Sequence, residues 1–213
     1  MPSEYYVLCW HVGKGQFSQL NFYRGIDRGM DLEQFCILAS SQKGLACSAL
    51  VQQALSSRKI FVFGELLALP SVNELKSSEH AKCFNTLELF AYGKVRDYIG
   101  NHSIAHLMLI TFAYSEDEAS YLELSEIQMR KLKQVTLLSL AAECSQLSYD
   151  YIMRELFVDD LRVLEDIIID SIYTGLIQAK LDQRNRMVYI FDFASRDVRP
   201  RDIDSLIDSL VSW

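Results

Sequence analysis

Asp159 to Phe193 reads DDLRVLEDIIIDSIYTGLIQAKLDQRNRMVYIFDF, and the rest of the chain is best read outward from it. Asp159 or Asp160 is suited to cap a helix in which Leu161, Leu164, Ile167, Ile168 and Ile172 face inward. Gly175 closes that helix. Leu176 to Leu181 then alternates as a strand, Asp182-Gln183-Arg184-Asn185 is turn-rich, and Met187 to Phe193 returns as a second strand. Upstream, Ser125 with Gln128 three residues on opens a long helix through Leu132, Val135, Leu138, Leu140 and Ala141 toward Glu143. Ser148 caps another that holds Tyr151, Ile152, Leu156 and Phe157. Three helices followed by a hairpin is the order of a winged helix-turn-helix, whose third helix usually enters the major groove of DNA.

The charge on that third helix is wrong for DNA. Asp160, Glu165, Asp166 and Asp170 stand against Arg162 alone. Residues 131–193 carry seven Lys and Arg against ten Asp and Glu, a net of -3. Duplex affinity comes largely from cations that displace condensed counterions, so such a surface repels phosphate. Only Lys131, Lys133, Arg184 and Arg186 cluster locally, the last two in the wing turn. The expected partner is therefore protein, and nucleic acid is disfavoured.

The whole chain of 213 residues has a formal charge of -7 and is 50% hydrophobic, which fits an ordinary globular protein with a sizeable core and argues against generic binding to nucleic acid or anionic membrane. Cys9, Cys36, Cys47, Cys83 and Cys144 are odd in number and lack C-x-x-C spacing. That predicts reduced, mostly buried thiols in a cytosolic or nuclear protein. The most apolar run, Ile104 to Tyr114, is too short to cross a bilayer. Tyr5 to Val12 is preceded by Glu4 rather than a basic region, which predicts no signal peptide.

The N-terminal half reads as short helices. Residues 1–29 have no clear period and read as an extension. Asp31 is expected to cap a helix with Gln34 reaching back, continued by Phe35, Leu38, Ala39 and Gln42 and ended by Gly44. A second helix from Leu45 to Ser56 places Leu45, Ala49, Val51 and Leu55 on its apolar face. Ile60 to Phe63 is an extended link, Glu65 to Leu69 a single turn, and Ser71-Val72-Asn73-Glu74 a capping-box spacing that restarts a helix through Leu75. Another helix runs from about Glu79 to Tyr92, with Phe84, Leu87, Glu88 and Ala91 along it and Gly93 as the break. Half-apolar helices with short joints must bury their stripes on one another, as in a helical-repeat stack. Ile104 to Tyr114 fits a buried helix or a strand. Pro200 opens a last helix whose Ile203, Leu206, Ile207 and Leu210 sit at i, i+3, i+4 and i+7, ending in Trp213.

No spacing points to catalysis. His102 and His106 have the i, i+4 spacing of a helical zinc site, but Ser103 stands where the general base would be, and no third ligand is evident. Gly13-Lys14-Gly15 lacks the spacer and the following Ser or Thr of a phosphate loop. Cys144 has no histidine after His106 to activate it. Asp159 with Asp160 and Glu165 with Asp166 are neighbours whose side chains point apart, so neither pair can flank one bond. The expectation is a protein without catalytic residues, metal or cofactor.

Several strings carry a resemblance. KLKQVTLLSLAA from Lys131 to Ala142, LEDIII from Leu164 to Ile169, LDQRN from Leu181 to Asn185, and Arg196-Asp197-Val198 resemble the C-terminal half of a PCI domain. This module is shared by scaffold subunits of the proteasome lid, the COP9 signalosome and the translation initiation factor 3 complex. Val62-Phe63-Gly64-Glu65-Leu66-Leu67 and Phe90-Ala91-Tyr92-Gly93 are similar to the helical half of the signalosome's subunit 7 family. The resemblance covers about residues 31–98 and 122–213. Residues 1–29 and roughly 100–121 depart from it, and the subunits it points to continue into a further helix and a polar tail.

The resemblance implies a mainly α fold with an N-terminal extension (1–29), a helical-repeat half (30–130), a winged-helix half of three helices and a small β-hairpin (131–195), and a C-terminal helix (196–213). It further implies a non-enzymatic scaffold, in cytoplasm and nucleus, of the complex that removes Nedd8 from cullins. Expected partners are other PCI and MPN subunits of that complex, with no small-molecule substrate and no membrane. Subunits of this kind associate through their winged-helix parts in an arc and bundle their C-terminal helices. The hairpin's exposed edge is a template for a neighbouring strand, which nominates Met187, Val188, Tyr189, Ile190 and Phe191. The terminal stripe nominates Ile203, Leu206, Leu210 and Trp213.

Overall fold

A computed structural model describes residues 31–100 and 120–199, together with 202, 203, 207, 208 and 211. Its N-terminal helices are α1 (Leu32–Ser41), α2 (Leu45–Ser56), α3 (Gly64–Ala68), α4 (Pro70–Glu74) running into a 3-10 turn (Leu75–Ser77), α5 (Ala81–Tyr92) and α6 (95–100). They close around Phe35, Val51, Leu55, Phe63, Leu66, Leu87 and Phe90, with Phe63 and Phe90 meeting edge to face at 6.0 Å between centroids. Such a pair adds roughly 1 kcal/mol beyond the area that it buries.

Three details differ from the sequence reading. Asp31 occupies the N-cap of α1 but makes no side-chain cap, and Gln34 is exposed. On α2, Leu45 and Ala49 are exposed, because with Val51 and Leu55 they span an arc of about 160°, wider than the face that packs on the core. The buried face is Cys47, Ser48, Val51, Ala54 and Leu55. The Ser71 capping box does not form. Pro70, pre-set for helical φ, starts α4 two residues earlier than a Ser71 cap would, and the Ser71 hydroxyl instead donates to the Ser40 carbonyl at 3.3 Å.

The capping box at Ser125 does form, both bonds being present, and it starts α7 (Glu126–Glu143). This helix belongs to two cores at once. Leu132 closes the N-terminal core, whereas Leu137, Leu138, Leu140 and Ala141 open a second one that includes Leu147, Tyr149, Ile152, Leu156, Leu164, Ile168 and Val188.

Around that second core stand β1 (Gln146–Ser148), α8 (Tyr149–Leu156), α9 (Leu161–Tyr173), β2 (Ile177–Asp182) and β3 (Met187–Phe193). Ser148 and Asp160 cap α8 and α9, accepting from the Tyr151 and Arg162 amides. Gly175 turns the chain at φ +75°, a conformation that suits a residue without Cβ. Phe157 ends α8 at φ +51° and is exposed, and Leu161 in the first turn of α9, expected inward, is exposed as well.

The sheet holds a strand that the sequence reading missed. Its order is β1-β3-β2, antiparallel throughout, with Leu147 opposite Val188 and Lys180 opposite Tyr189. The C-terminal half is thus a complete winged helix.

Candidate interaction surfaces

The main-chain pattern of the sheet decides which strand can accept a neighbour. The Ile190 amide donates to Ser145 O and the Tyr149 amide to Arg186 O, so the even-numbered positions of β3 point toward β1. Tyr189 and Met187 therefore exchange bonds with Lys180 and Asp182 of β2. By alternation, the N–H and C=O groups of Ala179 and Leu181 point away from the sheet. Among the described residues no strand lies beyond them. β2 is thus an open edge of the sheet, with β1 at the other side.

This corrects the expectation for Met187 to Phe191. Those residues form the central strand, where β1 already pairs with Met187, Val188 and Tyr189. Val188 and Ile190 belong to the core, with 0% and 7% exposure, while Met187 and Tyr189 are half-buried. Phe191, at 65%, projects outward beside the register shift between Gln178 and Ala179, and Lys180 Nζ lies 5.6 Å from its ring centroid. The aromatic side chains that remain available on β3 are Phe191 and Phe193.

The third helix presents no excess of positive charge to solvent. Arg162, Asp166, Ile169 and Tyr173 form a solvent-facing stripe along α9, with Tyr173 at 82% exposure, and Asp170 is paired with Arg130. The four clustered cations do not make a basic surface. Lys131 is buried, Lys133 is half-buried with burial lowering its pKa, Arg186 is bridged to Asp150 at 3.0 Å, and Arg184 is exposed in the wing turn.

Of the terminal stripe, Ile203 is exposed, and Ile207 and Val211 continue the same helical face, also exposed. Leu206, Leu210 and Trp213 lie outside the described residues, as do His102, His106, Gly13-Lys14-Gly15 and Ile104 to Tyr114. Cys144, the C-cap of α7, is an exposed free thiol. Among the described residues there is no group of three or more His, Cys, Asp and Glu placed to hold a metal ion, and no helix long and apolar enough to cross a membrane.

A polar joint between the two cores was not foreseen. Lys131 Nζ of α7 donates to Ala54 O (3.1 Å) and Ser57 O (2.7 Å) at the C-terminal end of α2, beneath the rings of Phe61 and Phe63. Burial, with no carboxylate partner among the described residues, lowers its pKa from 10.5 to about 7. Thr136 Oγ1 accepts from the Val95 amide at the start of α6. After β3 the chain turns back. Arg196 donates to Phe90 O (3.1 Å) and Gly93 O (2.5 Å) at the end of α5 and to Ser139 Oγ (2.6 Å) on α7, while Asp197 accepts from the Phe63 amide (2.6 Å). Gly64 leaves room for this carboxylate, since a Cβ there would sit 2.7 Å from Asp197 Oδ1. The strings around Gly64, Gly93 and Arg196, distant in sequence, thus meet at one place.

Comparison with known proteins agrees with this architecture. Residues 97–192 match the PCI domain, and residues 33–64 match the family described as the CSN7 helical bundle subdomain. Residues 97–192 thus carry a PCI domain. The chain is similar to COP9 signalosome complex subunit 7: it is 36% identical to that of Dictyostelium discoideum over 87% of this chain and 65% of the relative, and 36% identical to that of Drosophila melanogaster over 85% and 60%. A more distant similarity, at 27%, is to eukaryotic translation initiation factor 3 subunit M of Nematostella vectensis, over 76% of this chain and 40% of that one. The chain spans less than two thirds of the length of these curated relatives.

Proposed function

We propose that this chain is a non-catalytic scaffold subunit of the COP9 signalosome, the assembly that removes Nedd8 from cullin-RING ubiquitin ligases in cytoplasm and nucleus. It docks other PCI and MPN subunits through its winged-helix sheet and its C-terminal helix. The observation that carries this reading is the open edge of β2. Outward-facing amides and carbonyls at Ala179 and Leu181 offer an added strand the hydrogen bonds that β1 supplies on the other side, beside exposed Phe191 and Phe193. Similarity to subunit 7 relatives supports the choice of complex, and the acidic α9 supports protein over phosphate as the partner. The exposed Ile203, Ile207 and Val211 face suits a helical bundle.

The test is affinity capture of the tagged chain from cell extract, with the co-purifying subunits identified. Signalosome PCI and MPN subunits are expected, and recovery of initiation factor 3 or proteasome-lid subunits instead would reassign the complex. Ala179→Pro removes only an outward amide, at a strand irregularity where proline is tolerated, so it should leave the fold intact and abolish capture of the neighbour on that edge. Unchanged capture by that variant would refute docking through β2.

A further inference from the structure

Residues 194–199 have no regular secondary structure, yet two of their side chains are bound to helix ends in the other half of the domain. The guanidinium of Arg196 bridges the last carbonyls of α5, where the helix dipole is negative and four carbonyls lack helical donors. Its planar fork reaches two carbonyls and the Ser139 hydroxyl at once, which a lysine could not do. Burial lowers the Arg196 pKa to about 10. Asp197 holds the amide of Phe63, immediately before α3, and occupies the space left open at Gly64. Arg199 lies 5.3 Å from the Tyr92 ring centroid. Three successive contacts within four residues therefore fasten a segment that would otherwise be a plain linker.

We propose that residues 194–199 are a latch that aims the C-terminal helix: Arg196 and Asp197, fastened to α5 and α3, fix the direction in which the chain leaves the sheet. The Ile203, Ile207 and Val211 face is thereby presented on one side of the domain. The latch is a property of the isolated chain, and its consequence for partners rests on the assembly reading above. Two halves already share α7, so the latch is not needed to join them. What it adds is a second, distant anchor for the segment that follows β3. Gly64 is part of the device, because any side chain there would push Asp197 out of its place.

The test uses the whole chain. In the wild type, residual dipolar couplings of the Asp202, Ile203, Ile207, Asp208 and Val211 amides should fit the same alignment tensor as the rest of the domain. Asp197→Ala and Arg196→Met should release them from that tensor and speed amide exchange at Phe63 and in the last turn of α5 by about tenfold, with the sheet amides unchanged. Asp197→Asn keeps an acceptor for the Phe63 amide and should behave as wild type. Gly64→Ala should reproduce the release on its own and add nothing in the Asp197→Ala background. If Arg196→Met fails to fold, the Asp197 and Gly64 variants decide the matter. Couplings that stay on one tensor in Asp197→Ala would overturn the latch. Signalosome subunits absent from the wild-type capture would refute the assembly reading and leave the latch standing.

Discussion

Replacing Lys131 by methionine should change how stability depends on pH. The amine is buried beneath Phe61 and Phe63, donates to two carbonyls at the end of α2, and has its pKa lowered from 10.5 to about 7 because burial penalises its charge. Between those two values the unfolded chain holds the proton and the folded chain has shed it. Stability therefore rises with pH across that window, by a little over 1 kcal/mol per unit and about 2 kcal/mol from pH 7 to 9, and the cost of burying the charge is largest below pH 7. Methionine keeps much of the stem's packing and removes both the charge and the donors. The variant should lose this slope, gaining on the wild type toward pH 6 and falling behind toward pH 9, where Ala54 O and Ser57 O lack the amine. Cys83, raised to about 11 by burial, makes an opposing contribution at high pH, but it is common to both proteins and cancels in the difference. Urea denaturation of the two proteins at pH 6, 7, 8 and 9 gives the comparison. Parallel pH profiles would show that Lys131 keeps its proton throughout, and the argument from desolvation would fail.

Ser125→Ala removes one side of a complete capping box and should lower stability by about 1 kcal/mol in thermal or chemical unfolding. Ile168→Ala opens a cavity in the winged-helix core at a fully buried site and should cost about 3 kcal/mol. Arg186 sits at φ +53° in the wing turn with only an exposed ion pair to Asp150, so Arg186→Gly should stabilise the chain by roughly 1 kcal/mol; a loss of stability would mean that the side chain contributes more than the strain costs. Titration with labelled duplex DNA at about 0.15 M salt should show no saturable binding, because neither α9 nor the lysines of α7 present a cationic face.

Elements with strong local punctuation were legible before any coordinates. Ser125 with Gln128, Ser148, Asp160 and Gly175 mark their helix ends by side-chain chemistry that acts within a turn, and all four are found doing so or standing where expected. Ser71 shows the limit of such reading, since the same spacing is overridden by a neighbouring proline. β1 escaped because three residues cannot display an alternation, and with β1 unseen, β3 was taken for an edge. That one omission placed the expected docking strand at the centre of the sheet instead of at an edge. Arg196 and Asp197 were noticed only as part of a resemblance. Their work is done against carbonyls and amides more than a hundred residues away, and no local pattern announces such a partner.

Because α7 gives its first turns to one core and its last turns to the other, the domain has no seam at which it can be divided. A fragment ending before Lys131 would lack the amine that closes α2 and the Leu132 side chain that seals its core, and one beginning there would expose an apolar flank to water. Cloning and recombination should therefore treat residues 31–199 as indivisible.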